Sequence, residues 1–202
     1  MAGQFSFDVI LGHSSRFMKL YEHMETYLGL ISRGWAEKNK KYGIQVVLFE
    51  QNPAEDLSTY CTLGLDKFVL DIGDGKKIRQ ELIFSTYKTY PPDEVASFLM
   101  TFAESVADSG KGLLRGEVIE GKPLIDGVEV TGMYASVPVF WPDELHEFEG
   151  SSPTTIFVWL LPILKSEAEV IREEGWNYFE HYLEEHSEAD LWDLDRDAIP
   201  LR

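Results

Sequence analysis

The chain has 202 residues, 44% apolar and 26% charged, enough length and apolarity for a packed core and too much for wholesale disorder. Eighteen Lys and Arg stand against 35 Asp and Glu, a formal net charge of −17. The basic footprint that nucleic acid or an anionic membrane surface requires is therefore missing. The single cysteine, Cys61, excludes an intrachain disulfide and any multi-cysteine zinc or iron–sulfur centre, and allows a reducing compartment.

The first residues show no basic stretch followed by an apolar one, so no signal peptide is expected. The longest apolar run, Ile156 to Leu164, has nine residues, where a bilayer span needs about 20. The expectation is a cytoplasmic protein that stays out of the membrane. The acidity is uneven: residues 1–142 carry 14 basic and 19 acidic side chains, residues 143–202 carry 4 and 16. No linker composition, repeat or low-complexity stretch divides the chain, so residues 1–202 read as a single domain.

A helix is predicted from about Ser14 to Leu28, capped by Ser14 or Ser15, with Phe17, Leu20, Tyr21, Met24 and Leu28 on one stripe. After the basic stretch 38–41, Ile44 to Phe49 is β-branched and aromatic enough for a strand, and Asn52-Pro53 breaks it. Leu57 to Leu63 alternates as a second strand and Phe68 to Ile72 is a third. Gly73-Asp-Gly75 is turn chemistry, so a hairpin to a fourth strand, Ile78 to Tyr87, follows. Pro91-Pro-Asp-Glu94 starts a helix that runs to about Ala107 and stops at Gly110. On it Phe98, Phe102 and Val106 form a core stripe, with Val95 and Leu99 beside them. Short strands are predicted near Gly116–Ile119 and Met133–Phe140. Thr155 to Leu161 reads as a strand buried on both faces and limited by Pro162. Phe157, Trp159 and Leu161 should face one side, Val158 and Leu160 the other. Ser166 and Glu169 read as a capping box for a last helix reaching about His186, interrupted or bent near Gly175. The apolar residues of the tail, Asp190 to Ile199, can tuck back on the body. The fold class is α+β, with a mixed, mainly antiparallel sheet and packed helices.

No local motif signals an enzyme. Gly110-Lys-Gly112 lacks phosphate-loop spacing, and neither a dinucleotide fingerprint nor a nucleophile elbow is present. His181 and His186 are five apart, which turns the second ring about 140° from the first on a helix, against the i,i+4 spacing zinc needs. They read as part of a solvated acidic face, and Cys61 as a core residue. No metal or cofactor is expected.

Six blocks, in order, resemble the suppressor-of-fused domain. Thr59-Tyr-Cys-Thr-Leu-Gly-Leu-Asp-Lys-Phe68 is similar to the family's Tyr-x-x-x-Gly-Leu-Ser/Asp segment. Arg79-Gln-Glu-Leu-Ile-Phe84 is similar to its Glu-Leu strand and Tyr90-Pro-Pro-Asp-Glu94 to its Pro-led helix start. Pro138-Val-Phe-Trp-Pro142 resembles the segment before the acidic loop. Phe157-Val-Trp-Leu-Leu-Pro-Ile163 with Ser166-Glu167 resembles the apolar strand leading into a capped helix, and Asp193-Leu-Asp-Arg196 the closing element. The resemblance covers about residues 40–200. It implies a binding domain without catalysis or cofactor. In animals such a domain belongs to a Hedgehog-pathway repressor that binds transcription factors, and compact bacterial versions resemble immunity proteins that neutralise a polymorphic toxin, often a nuclease.

The resemblance puts Tyr60 in the segment bordering the peptide cleft of the animal relatives, with Asp71 the nearest match to an acid that follows. On the residues alone, Tyr60 is a strand aromatic of the core and Asp71 a solvated hairpin residue. The charge distribution adds Asp143, Glu144, Glu147 and Glu149, on a loop after Trp141-Pro142, as candidates for contact with a basic protein partner, ahead of Glu184, Glu185 and Glu188 on the last helix. The reading is a bacterial immunity protein acting by binding. The alternatives are a regulatory or scaffold module for a non-toxin partner, and an enzyme without a local signature.

Overall fold

The computed structural model describes residues 3–5, 15–37, 41–121, 124–186 and 189–201. Ser14, residues 38–40, Glu188 and the side chain of Phe17 lie outside them. The elements in order are β1 (Gly3–Phe5), α1 (Ser15–Leu28), β2 (Arg33–Ala36), β3 (Gln45–Glu50), β4 (Leu57–Leu63), β5 (Leu70–Asp71), β6 (Lys77–Tyr87), α2 (Pro92–Ser109), β7 (Val118–Glu120), β8 (Gly132–Ser136), β9 (Glu147–Phe148), β10 (Thr155–Ile163), α3 (Lys165–Glu174) and α4 (Trp176–Glu185).

Eight strands follow one another across the sheet as β1-β2-β3-β4-β6-β10-β8-β7, with β5 on β6 and β9 on β10. Among the described pairs only β6 with β10 is parallel. This is the mixed, mainly antiparallel α+β arrangement expected. One face of the sheet packs on α1, α3, α4 and the tail through Leu20, Met24, Cys61, Trp159, Ile171 and Leu201. The other packs on α2 through Tyr60, Leu82, Phe84, Leu99 and Leu160.

That two-sided covering explains the strands that are apolar on both faces. All seven residues of β4 are buried. In β10, Phe157, Trp159 and Leu161 enter the first core and Val158 and Leu160 the second, as alternation requires. Pro162 does not end β10. The strand pairs with β6 only as far as Trp159, and the Pro162 carbonyl accepts from Arg196 Nη2 at 3.0 Å. The edge of Pro162 that lacks an N–H therefore faces away from β8, where no ladder bond is lost.

The α2 helix begins at Pro92 and ends with Gly110 in the left-handed region, φ 64°, its N–H on the Val106 carbonyl. Its buried stripe is Val95, Ala96, Leu99, Met100, Ala103 and Val106. Phe98 and Phe102 flank that stripe half-exposed, so they are not the centre of the core face. The last helix is two, broken at Gly175, φ 90°. The start of α3, by contrast, differs from expectation: its cap residue is Leu164, whose N–H donates to Glu167 at 2.9 Å, so the acid that bonds back is Glu167 and not Glu169. Leu191, Leu194, Ile199 and Leu201 are buried, so the tail does fold back.

Two of the family-like blocks meet at one side chain. The pairing of β4 with β6 stops at Cys61–Ile83. Beyond it the fully buried Glu81 carboxylate takes over as acceptor, from the Thr62 hydroxyl, Gly64 N–H at 2.7 Å and Asp66 N–H at 3.1 Å. Gly64 sits at φ 107°, a conformation that favours glycine. Among the described residues, no helix is long and apolar enough to cross a membrane.

Candidate functional site

The chain leaves β8 at Ser136, earlier than the predicted strand end, and Val137 to Trp141 form a fixed loop. Trp141 anchors it: the ring is buried, Nε1 donates to Asn52 Oδ1 at 2.5 Å and the backbone N–H to the Pro138 carbonyl at 3.1 Å. Val139 is 60% and Phe140 52% exposed. Phe140 is still held, its ring edge-on to Trp159 and Trp192 at 5.3 and 4.9 Å. An apolar side chain with one face packed and one face in water is a preorganised contact residue.

A short 3₁₀ turn, Asp143–Leu145, and β9 follow. Leu145 and Phe148 are buried, which leaves Asp143, Glu144, Glu147 and Glu149 exposed between and beside them. The four acids line a surface concavity of about 800 Å³ together with His23 and Tyr27 of α1. His23 stacks near Phe157 at 5.7 Å and donates from Nε2 to the Leu145 carbonyl at 3.4 Å. Burial holds its imidazole below the ordinary value, against the smaller opposite effect of that bond. The acids thus rim a concavity whose floor is aromatic.

The six candidates from the sequence do not converge. The four loop acids come together on the α1 side of the sheet. Tyr60 is 2% exposed in the α2-side core, its ring 6.1 Å from Trp35, and burial pushes its hydroxyl well above the ordinary range. Its position is that of a core aromatic. Asp71 is exposed, but its carboxylate accepts from Gly73 N–H at 2.7 Å, closing the hairpin turn. Its backbone bonds Gly110 and Gly112, tying the hairpin to the end of α2.

The other singled-out groups fall elsewhere. Cys61 is buried, and burial, then the Glu81 charge, pushes its thiol up. His181 faces Glu184 and Glu185, while His186 stacks on Tyr182 at 3.9 Å. Among the described residues no three His, Cys, Asp or Glu side chains group as metal ligands would. Sequence reasoning missed Val139, Phe140, His23 and Tyr27. An apolar triplet between Pro138 and Pro142 was the one available signal for the first two.

The Suppressor of fused protein (SUFU) family profile matches residues 40–197. "Immunity protein YqcF" of Bacillus subtilis (strain 168) is 23% identical over 172 residues, 84% of this chain and 88% of that protein. A SUFU homolog from Neisseria gonorrhoeae FA 1090 superposes with a TM-score of 0.72 at 17% identity, over 91% of this chain and 96% of that one. The Sufu-Fu complex gives 0.66 at 15% identity, over 90% and 88%. Drosophila Suppressor of Fused gives 0.65 at 16%, over 90% of this chain and 49% of that longer one. With a profile match across most of its length and the same sheet and helix arrangement, the chain belongs to the suppressor-of-fused family.

Proposed function

We propose that this protein is a single-domain binding module of the immunity type, acting in the cytoplasm and neutralising a basic toxin domain by direct, stoichiometric contact. The observation that carries the reading is the juxtaposition of exposed Val139 and Phe140 with four exposed acids on the next few residues. Asp143 is three residue steps beyond Phe140, at most about 11 Å of chain. An apolar anchor inside a charged rim is how tight interfaces are built: the anchor supplies affinity, the rim steers approach. A nuclease, whose cleft must be basic to hold phosphate, fits such a rim. The similarity to an immunity protein over 88% of that protein's length supports the same reading.

The test is to sequence the genes beside the one for this chain and to co-express the protein with the toxin domain that this reading expects there. Growth rescued by the wild type and lost with Phe140→Ser plus Asp143→Asn, Glu144→Gln, Glu147→Gln and Glu149→Gln is expected. No rescue by the wild type overturns the immunity reading. The Sufu-Fu complex favours a second one, a regulatory module for a non-toxin protein, which the same binding surface would serve.

A further inference from the structure

The sheet is not covered evenly. On the side of α2, that helix packs over β3, β4 and β6. Towards the β8–β7 edge a groove of about 830 Å³ opens instead, with Met133 and Ile119 among its lining residues and Leu124 and Ile125 across from α2. A smaller groove of about 330 Å³ shares Phe102, Ser105 and Ile119 with it and continues to Ser109 and Lys111. Together they follow α2 from Asp93 to Ser109. At 1.5 Å per residue that is a trough of about 25 Å, the length of a four- to five-turn helix.

We propose that this trough is a second docking surface, separate from the acidic loop, and that its occupant is an amphipathic helix of a protein partner whose polar edge is basic at one end. Three observations converge on that occupant. The α2 wall is a knob-and-channel surface: Phe98 and Phe102, rings 6.1 Å apart, stand beside Ser97, Thr101 and Ser105. Large and small side chains in adjacent i,i+4 rows are what ridges-into-grooves packing of a second helix uses. Ile119, Leu124, Ile125 and Met133 give the trough an apolar strip, on which a leucine-type face gains by burial. The charge is polarised along the trough. Glu94 and Asp126 lie at one end and their carboxylates have no partner among the described residues, whereas Asp93 and Glu120 there are paired with Arg33 and Arg172. The other end is close to neutral, Lys111 there being offset by Glu117. A helix with Lys or Arg at the Glu94–Asp126 end matches this polarity; the reverse one loses that attraction.

The experiment uses the full chain and a synthetic 18-residue peptide, helical, with Leu and Ala on one face and Lys confined to one terminal turn. Binding is followed by fluorescence anisotropy and by methyl NMR at Met133, Ile119 and Ile125. Saturable one-to-one binding with shifts at those methyls is expected. Thr101→Arg with Ser105→Arg, both exposed on α2, obstructs the trough and should weaken binding about tenfold or more. Glu94→Gln with Asp126→Asn should weaken it at low salt, and neutralising the four loop acids should leave it within about twofold. Circular dichroism checks the arginine variant's fold; should it fail, the wild-type shift map and the Glu94/Asp126 variant decide. Shifts gathered at the acidic loop, unchanged affinity in a folded arginine variant, or equal binding of a proline-interrupted peptide of the same composition would overturn the proposal. None of these outcomes depends on whether the acidic loop binds a toxin.

Discussion

Arg196 in the tail and Glu167 in the first turn of α3 form a buried two-pronged pair, Nη1 to Oε1 at 2.5 Å and Nη2 to Oε2 at 2.7 Å, with side chains 5% and 1% exposed. The same carboxylate accepts from the N–H groups of Ile199 at 2.8 Å and Leu164 at 2.9 Å. One acid thereby joins the end of β10, the start of α3 and the tail. A bidentate guanidinium fits this geometry where an ammonium does not.

Removing one partner leaves the other charged and buried. Arg196→Ala should therefore cost about 3–5 kcal/mol, and Arg196→Lys, which keeps the charge but loses the fork, should cost less. Urea denaturation measures both. An Arg196→Ala midpoint equal to the wild type would mean the tail is not held by this pair.

Trp159 tests the two-sided strand. It is 2% exposed, packed among Trp141, Phe140 and Trp192, and its Nε1 is buried without a hydrogen-bond partner among the described residues. Trp159→Ala should cost about 3–5 kcal/mol through the cavity it leaves. Trp159→Phe should cost under about 1.5 kcal/mol, because it keeps most of the ring volume and removes an unsatisfied donor. If the two variants lose stability equally, volume is not what Trp159 contributes.

What could be read from the residues follows the physics of each segment. Continuous apolarity in β10 announced a strand covered on both faces, alternation announced β4 as a strand but not its burial on both faces, and Pro91-Pro92 with Gly110 bounded α2 closely. The hairpin at Gly73–Gly75 needed only turn chemistry. By contrast β2 is four residues, Arg-Gly-Trp-Ala, too short and too mixed to carry a period. Pro162 argued against strand because the sequence does not tell which edge of a residue faces a neighbour. Glu167 was hidden behind Ser166–Glu169 because its partners, Arg196 and Ile199, are about thirty residues away. The family-like blocks could be recognised but not their purpose, which for two of them is to meet at Glu81. At the surface, the acids were visible as charge, but the exposure of Phe140 depends on Trp159 and Trp192, and no local pattern reports that.

Glu81 gives a pH prediction. Burial, and then the nearby Asp66 charge, push its carboxyl up to about 8, against the pull of its bonds from Thr62, Asp66 and Gly64. Its folded value lies above its unfolded one, so its contribution to stability is full below about pH 4.5 and is lost as pH rises to about 8. Glu81→Gln keeps an acceptor for Gly64 and Asp66 and carries no charge. Its stability relative to wild type should rise across that window, whatever Asp66, Lys67 and the other charges do in both proteins. A difference that stays flat from pH 5 to 8 would mean that the three donors hold Glu81 ionised at an ordinary value.

The acidic loop and Phe140 should separate in kinetics with the bound partner. Asp143, Glu144, Glu147 and Glu149 are exposed, and screening at physiological salt acts over about 8 Å, so their attraction operates mainly during approach. Neutralising all four should slow association and flatten its dependence on ionic strength, with a smaller change in dissociation. Phe140 presents half its surface and is held edge-on by Trp159 and Trp192, so little ordering remains when a partner covers it. Phe140→Ala should leave association nearly unchanged and speed dissociation about tenfold or more, as loss of an interface anchor does. Because the ring is half-exposed, the fold should lose only about 1 kcal/mol, which denaturation can check separately. Stopped-flow association against salt, paired with dissociation by competition, reads both effects. Association that ignores salt in the wild type would assign the acidity to solubility. Unchanged dissociation in Phe140→Ala would move the contact away from this loop, with the trough along α2 as the next surface to block.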